Sequence, residues 1–145
     1  VCIAKIKKKL SKYYWTSVTD ENMPFNAVIQ QNNLYAKSKK HIIYTSKYTE
    51  KSSYLYKMDE KDLSKKIFEN LENIYKNFNK KDVIEFKIFK SKNAAPIPDI
   101  QTICNIPPFK SKIKNLWHGG LEYIYPEDRG VGNSIEVSEK IANQF

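Results

Sequence analysis

A chain of 145 residues, 41% of them hydrophobic and 13% aromatic, is long enough to bury one core, and no apolar run in it approaches the ~20 residues of a membrane-spanning helix. The net charge of +9 invites a nucleic-acid or acidic-membrane partner. However, Arg129 is the sole arginine among 25 basic residues, and arginine is the fork that reads phosphates and base edges. The composition therefore argues against a dedicated nucleic-acid binder, and KIKKKLSK (5–12) and KSKIK (110–114) read as solvated surface. Cys2 and Cys104, with His41 and His118, are too few and too dispersed for a disulfide framework or a metal site. Free thiols in a reducing cytoplasm are expected. Val1 opens directly on strand-like sequence with no leader pattern, so the chain is expected to be cut from a longer cytoplasmic polypeptide.

Val1, Ile3 and Ile6 predict a first strand within residues 1–10, running into a lysine-rich turn. YYWTSV (13–18) is aromatic and β-branched, a second strand, and TDENMP (19–24) is turn chemistry. FNAVIQ (25–30) places Phe25, Ala27 and Ile29 on one face of a third strand. A polar connection at 31–40 leads to HIIYTSKY (41–48), a fourth. The period then changes. Leu63, Ile67, Leu71, Ile74 and Phe78 form one stripe of an amphipathic helix over 59–78, with Asp59 as its N-cap and Glu60 and Asp62 at the positive end of its dipole. Lys76, Lys80 and Lys81 suit the opposite end.

Residues 81–90 return to period two, with Ile84, Phe86 and Ile88 on one side. Pro96, Pro98, Pro107 and Pro108 mark an extended crossing segment. LWHGGLEYIY (116–125) then reads as a strand broken by a glycine pair, and residues 132–145 as a closing helix with Ile135, Ser138, Ala142 and Phe145 on one face. The expected fold class is α+β: a mixed β-sheet with a packed amphipathic helix, followed by a C-terminal strand–helix unit. The expected divisions are 1–95, a Pro-rich crossing at 96–115, and 116–145.

All four glycines and the arginine fall between residues 117 and 132. Gly130 and Gly132 permit positive φ and close approach of a ligand to bare backbone. Asn133 and Ser134 are good helix N-caps, and the unpaired amides of a first turn suit negative charge, with Arg129 a bidentate donor beside them. The same residues would equally serve a plain turn whose left-handed glycines cap the last helix. The G-x-G-x-x-G and P-loop patterns are incomplete here.

YPEDRGVGNSIEVSEKIA resembles the C-terminal segment of flavin-dependent amine-oxidase-like proteins, in particular the branch related to protoporphyrinogen oxidase and, more distantly, UDP-galactopyranose mutase. The residues that carry the likeness are Tyr125, Pro126, Asp128, Arg129 and Gly130, then Glu139, Lys140, Ile141 and Ala142. Upstream, residues 10–33 are similar to the same branch's L-S-x-Y-Y-W, P-F and I-x-x-x-N pattern. HIIYTSKY and Ala95-Pro96 follow in the expected order.

The resemblance implies the C-terminal third of an FAD-dependent oxidoreductase whose G-x-G-x-x-G Rossmann region lies elsewhere in the parent polypeptide. The closing strand and helix would complete its FAD-binding domain. Gly119, Gly120, Asp128, Arg129, Gly130, Val131, Gly132, Asn133 and Ser134 would contact or shape the FAD site. Tyr14, Trp15 and Phe25, with Tyr13, would line a pocket for a small-molecule substrate. The isolated chain would bind FAD weakly and be inactive, and its C-terminal strand would offer an exposed edge for pairing with another copy. Two alternatives stand beside this: a flavin-dependent sugar-nucleotide mutase, and a non-enzymatic basic module for a polyanion, whose affinity would fall steeply with salt.

Overall fold

The computed structural model describes residues 1–35 and 41–145, apart from the side chain of Ile103. It divides into two compact units, Val1–Lys92 and Asn93–Phe145. The first is α+β. Its strands are β1 (Cys2–Ile6), β2 (Trp15–Ser17), β3 (Ala27–Gln30), β4 (His41–Ser46) and β5 (Val83–Ile88), ordered β2-β3-β4-β1-β5. Every neighbouring pair is antiparallel, which corrects the expected mixed sheet. A parallel pair needs a long crossover. The helical crossover from β4 to β5 delivers β5 to the far side of β1, not to the side of β4. Residues 36–40 of the polar connection lie outside the described residues.

Cys2, Ala4 and Ile6 alternate into the core, whereas Val1 is 51% exposed. On β3 the expected face is borne out in part: Ala27 is buried and Ile29 half-buried, but the opposite face is buried more deeply. Val28 lies opposite Thr45 and Gln30 opposite Ile43, so the even positions face the core, where Val28 is buried. Phe25 is buried as well, because the turn before β3 folds it inward.

Helix α1 (Tyr54–Lys57) contributes buried Leu55 and α2 (Glu60–Ile74) the main stripe. Asp59 caps α2 by accepting a hydrogen bond from the Asp62 amide at 2.8 Å. Leu63, Ile67, Phe68 and Leu71 pack with the inward residues of the sheet into one cluster, each full burial contributing roughly 1.5–3 kcal/mol. The helix stops at Ile74, short of the expected Phe78. Tyr75 is already extended, and the asparagines at 73, 77 and 79 favour turns over helix interior. Asn79 and Asp82 then form a reciprocal capping box. Phe78 still reaches the core, and Lys76, Lys80 and Lys81 lie beyond the helix.

On β5 a register shift beside Lys5 and Ile6 places Val83 opposite Ile6, with Phe86 opposite Ala4 and Ile88 opposite Cys2. Val83 and Ile88 pack on the core, Phe86 meets Phe68 edge-on at 5.3 Å, and Ile84 is turned out, 53% exposed. One extra residue in the ladder thus removes Ile84 from the expected face, while Phe86 and Ile88 keep it.

In the second unit α3 (Thr102–Asn105) follows an Asp99 turn in which the carboxylate accepts from the Gln101 amide and the Thr102 hydroxyl. The expected strand at 116–125 does not form. That segment holds one isolated bridge, Lys110 with Trp117, and a 3-10 turn at Leu121–Tyr123. The exposed edge through which a second copy was expected to pair is therefore absent there. Helix α4 (Val131–Ala142) closes the unit. Its inward face is Val137, buried, and Ile141, half-buried, while Ile135, Ser138, Ala142 and Phe145 are exposed. Among the described residues no helix is long and apolar enough to cross a membrane.

Candidate functional site at the glycine loop

The segment from Trp117 to Ser134 is built on aromatic contacts within the second unit. Phe109 stacks on Tyr123 at 4.8 Å, and Trp117 lies 4.4 Å from the ring of Phe145. His118 Nδ1 shares a hydrogen bond of 2.9 Å with the Tyr123 hydroxyl. Burial pushes the Tyr123 hydroxyl above the ordinary phenol range, with the Glu122 carboxylate adding to the shift. The neutral phenol can donate to, or accept from, the His118 ring.

Gly119 allows a close approach, but to the protein itself. A Cβ there would stand 2.5 Å from Ile141 Cδ1 and 3.3 Å from Val137 Cγ1, so the bare backbone is what lets this segment lie against α4. At Gly120 a Cβ would meet the Glu122 carboxylate, a flexible end that can move away.

Asp128 organises the loop that follows. Its carboxylate accepts from the Arg129 amide at 2.8 Å, and its carbonyl accepts from the Gly130 amide at 2.8 Å and from Asn133 Nδ2 at 2.6 Å. Ser134 donates to the Gly130 carbonyl through both its amide and its hydroxyl, each at 3.1 Å. Asn133 and Ser134 thus lie inside α4 and donate backwards. They are not the N-cap that the sequence suggested. The N-cap is Gly130, extended at φ −101°, ψ 158°, with no side chain to accept from the first-turn amides.

No described glycine has a positive φ, which removes the reading of left-handed turn glycines. Around Gly130 and Gly132 an added Cβ would meet nothing within 4 Å. Val131 is 80% exposed.

The chain matches no protein-family model, no curated protein and no solved structure.

Of the residues expected to line a substrate pocket, Phe25 belongs to the core of the first unit, and burial removes it from any surface wall. Tyr13, Tyr14 and Trp15 are exposed on that unit, and Trp15 Nε1 donates to Ser17 Oγ at 3.1 Å. Among the described residues no group of His, Cys, Asp and Glu stands close enough to hold a metal ion.

What sequence reasoning missed is Gln30. Its buried side-chain carbonyl accepts from the amides of Leu10 and Ser11 at 2.9 and 3.2 Å, while Asn33 Nδ2 donates to the carbonyls of Ser11 and Tyr13. These bonds join the L-S-x-Y-Y-W and I-x-x-x-N segments into one structure. The motif spacing was visible in the sequence. That it closes a loop by side-chain capping was not.

Proposed function

We propose that this chain is the C-terminal part of an FAD-dependent oxidoreductase of the amine-oxidase-like kind, and that the start of α4 meets the cofactor. One observation carries the reading. Gly130 and Gly132 are glycines that the fold does not require: neither has a conformation reserved for glycine, and neither has a neighbour that a side chain would strike. Gly130 is at the N-cap, a position that glycine suits, whereas Gly132 is inside the first turn, where a glycine costs up to about 1 kcal/mol against alanine. Keeping two bare positions at an uncapped helix start suits a group that must come up against the backbone itself.

The residues fit an electron-rich, anionic cofactor. Amides of the first turn with the dipole behind them favour negative charge, and Arg129 stands in the loop immediately before them. Asp128 fixes the loop through three hydrogen bonds, so the backbone is oriented before a ligand arrives. When bound, flavin would supply the acceptor for a hydride taken from an organic substrate. The chain's own contribution is to hold the cofactor edge and to exclude side chains from it.

The test uses the polypeptide encoded by the complete reading frame, purified from flavin-replete cells. It should carry FAD, and Gly130→Val with Gly132→Val should lower flavin occupancy at least about tenfold while leaving the melting temperature within a few degrees, since no neighbour is displaced. A colourless full-length protein, or a variant that retains all its flavin, would refute the proposal.

A further inference from the structure

The antiparallel register sends the ends of β1 and β3 and the beginnings of β2, β4 and β5 to one end of the sheet: Ile6 pairs with His41 and Val83, and Trp15 pairs with Ile29. The loop leaving β1 carries Lys7, Lys8, Lys9 and Lys12, all exposed. The turn entering β5 carries Lys76, Lys80 and Lys81, also exposed. Hydrogen bonds join these two segments. The Lys7 amide donates to the Asp82 carbonyl at 2.9 Å, and Asn77 Nδ2 donates to the carbonyls of Lys9 and Leu10, both at 3.1 Å. Two carboxylates stand at this rim and both are engaged: Asp82 by Lys8 at 3.1 Å and by the Asn79 amide, and Glu72 near the end of α2 by the Lys80 amide at 2.7 Å. Lysines almost seventy residues apart therefore form one basic rim. At the opposite end of the sheet, the connections after β2 and β4 mix charge, with Asp20, Glu21 and Glu50 beside Lys47 and Lys51.

The same end also displays apolar surface. Tyr13, Trp15, Leu34 and Tyr35 are each more than half exposed. They are held beside the lysines by the Asn33 bonds to Ser11 and Tyr13, and by the Gln30 amide donating to the Tyr14 carbonyl at 2.8 Å. Lys12 Nζ sits 5.3 Å from the centroid of the Tyr13 ring.

We infer that this end of the first unit docks on a bilayer surface rich in anionic lipid. Lysine is a compact, hydrated point charge on a long stem. It gains from a diffuse anionic surface by up to about a factor of five in affinity per residue, and its stem can lie along apolar matter while the ammonium stays wet. Tyrosine and tryptophan settle at headgroup depth, where one edge is apolar and the other wet. Leu34 adds an aliphatic side chain that partitions into the acyl boundary but offers nothing for a nucleobase to stack on. A nucleic-acid track would favour guanidinium forks, and the only arginine belongs to the other unit. The proposal is independent of the flavin reading.

The 145-residue chain is mixed with vesicles of phosphatidylcholine alone, or of phosphatidylcholine with about a third phosphatidylserine, in roughly 0.1 M salt, and sedimented. Binding to the phosphatidylserine vesicles should be at least about tenfold stronger and should fall when the salt is raised several-fold. Lys9→Glu with Lys12→Glu and Lys81→Glu should weaken it by about tenfold or more, with unchanged circular dichroism. In a Trp117→Phe background, Trp15 emission should shift to the blue on binding. Tyr13→Ser with Leu34→Ser and Tyr35→Ser, which changes no charge, should weaken binding too. Equal affinity for both vesicle types, no binding at all, or displacement from the vesicles by a single-stranded RNA oligomer at lower concentration than by free phosphatidylserine vesicles would overturn the inference.

Discussion

Gln30 shows how much one side chain can decide. Its place on β3 is a core position, opposite Ile43, and an apolar residue there would satisfy the alternation. A buried polar group is tolerated only when it is hydrogen-bonded. Here the Gln30 carbonyl satisfies two amides of the lysine-rich loop, one of them fully buried. Gln30→Leu keeps the volume and orphans both donors. It should cost about 2–4 kcal/mol, at roughly 1–3 kcal/mol per unsatisfied group, read as a lower urea midpoint with an unchanged slope. The two cysteines separate by the same logic of burial. Cys2 is buried in β1, and desolvation pushes its thiol up to about 11, only partly offset by the neighbouring N-terminal ammonium. Cys104 is exposed on α3. The thiolate is the reactive form, and at pH 8 it makes up on the order of one in a thousand of Cys2. Iodoacetamide at that pH should therefore add one label to the native chain and two in guanidinium, counted by mass. As pH rises toward the thiol's own value, the second label should begin to appear in the native chain.

Elements were legible where periodicity and chemistry agreed. The stripe of α2 and its Asp59 cap are both present as the sequence indicates, because a capping side chain and a 3.6-residue period need no tertiary information. Its end was not legible. Phe78 continues the apolar spacing yet reaches the core from a turn, since packing rewards burial regardless of how the backbone arrives. The faces of β3 and β5 were legible only in part, for a related reason. A two-residue period identifies a strand, but the inward Val28 and Gln30 on β3 and the irregularity that turns Ile84 out on β5 come from tertiary packing. Helix α4 was placed correctly in sequence, and the face of Ile135, Ser138, Ala142 and Phe145 is its exposed one. Its inward residues are Val137 and Ile141, the pair that lies over Gly119. Gly119→Ala should destabilise the second unit by about 1–3 kcal/mol, the usual cost of an inserted methyl in a packed contact. Adding Ile141→Ala should restore part of that loss by clearing the clash. Thermal melts of the two single variants and the pair would show the coupling, and strict additivity would mean that the contact is not the cause.

At the scale of the whole molecule, apolar burial is divided unequally. The core cluster, from Cys2 to Phe78, lies entirely within residues 1–92. Among its described residues, the second unit buries Ile124 and Val137, and exposes Ile97, Ile100, Ile113 and Ile135 to more than half. Under the flavoprotein proposal that imbalance has a physical sense, since residues 93–145 would complete a cofactor domain whose other elements come from elsewhere in the parent chain. A unit of this size sits near the limit at which burial alone offsets the entropy of ordering a chain. Residues 1–92, expressed alone, should therefore unfold cooperatively in urea with a midpoint close to the main transition of the 145-residue chain. Residues 93–145 alone should give little near-ultraviolet dichroism and broad, non-cooperative melting. A cooperative transition from the shorter piece would show that its aromatic contacts, Phe109 on Tyr123 and Trp117 on Phe145, suffice without a partner, and would remove the stability argument for a missing neighbour.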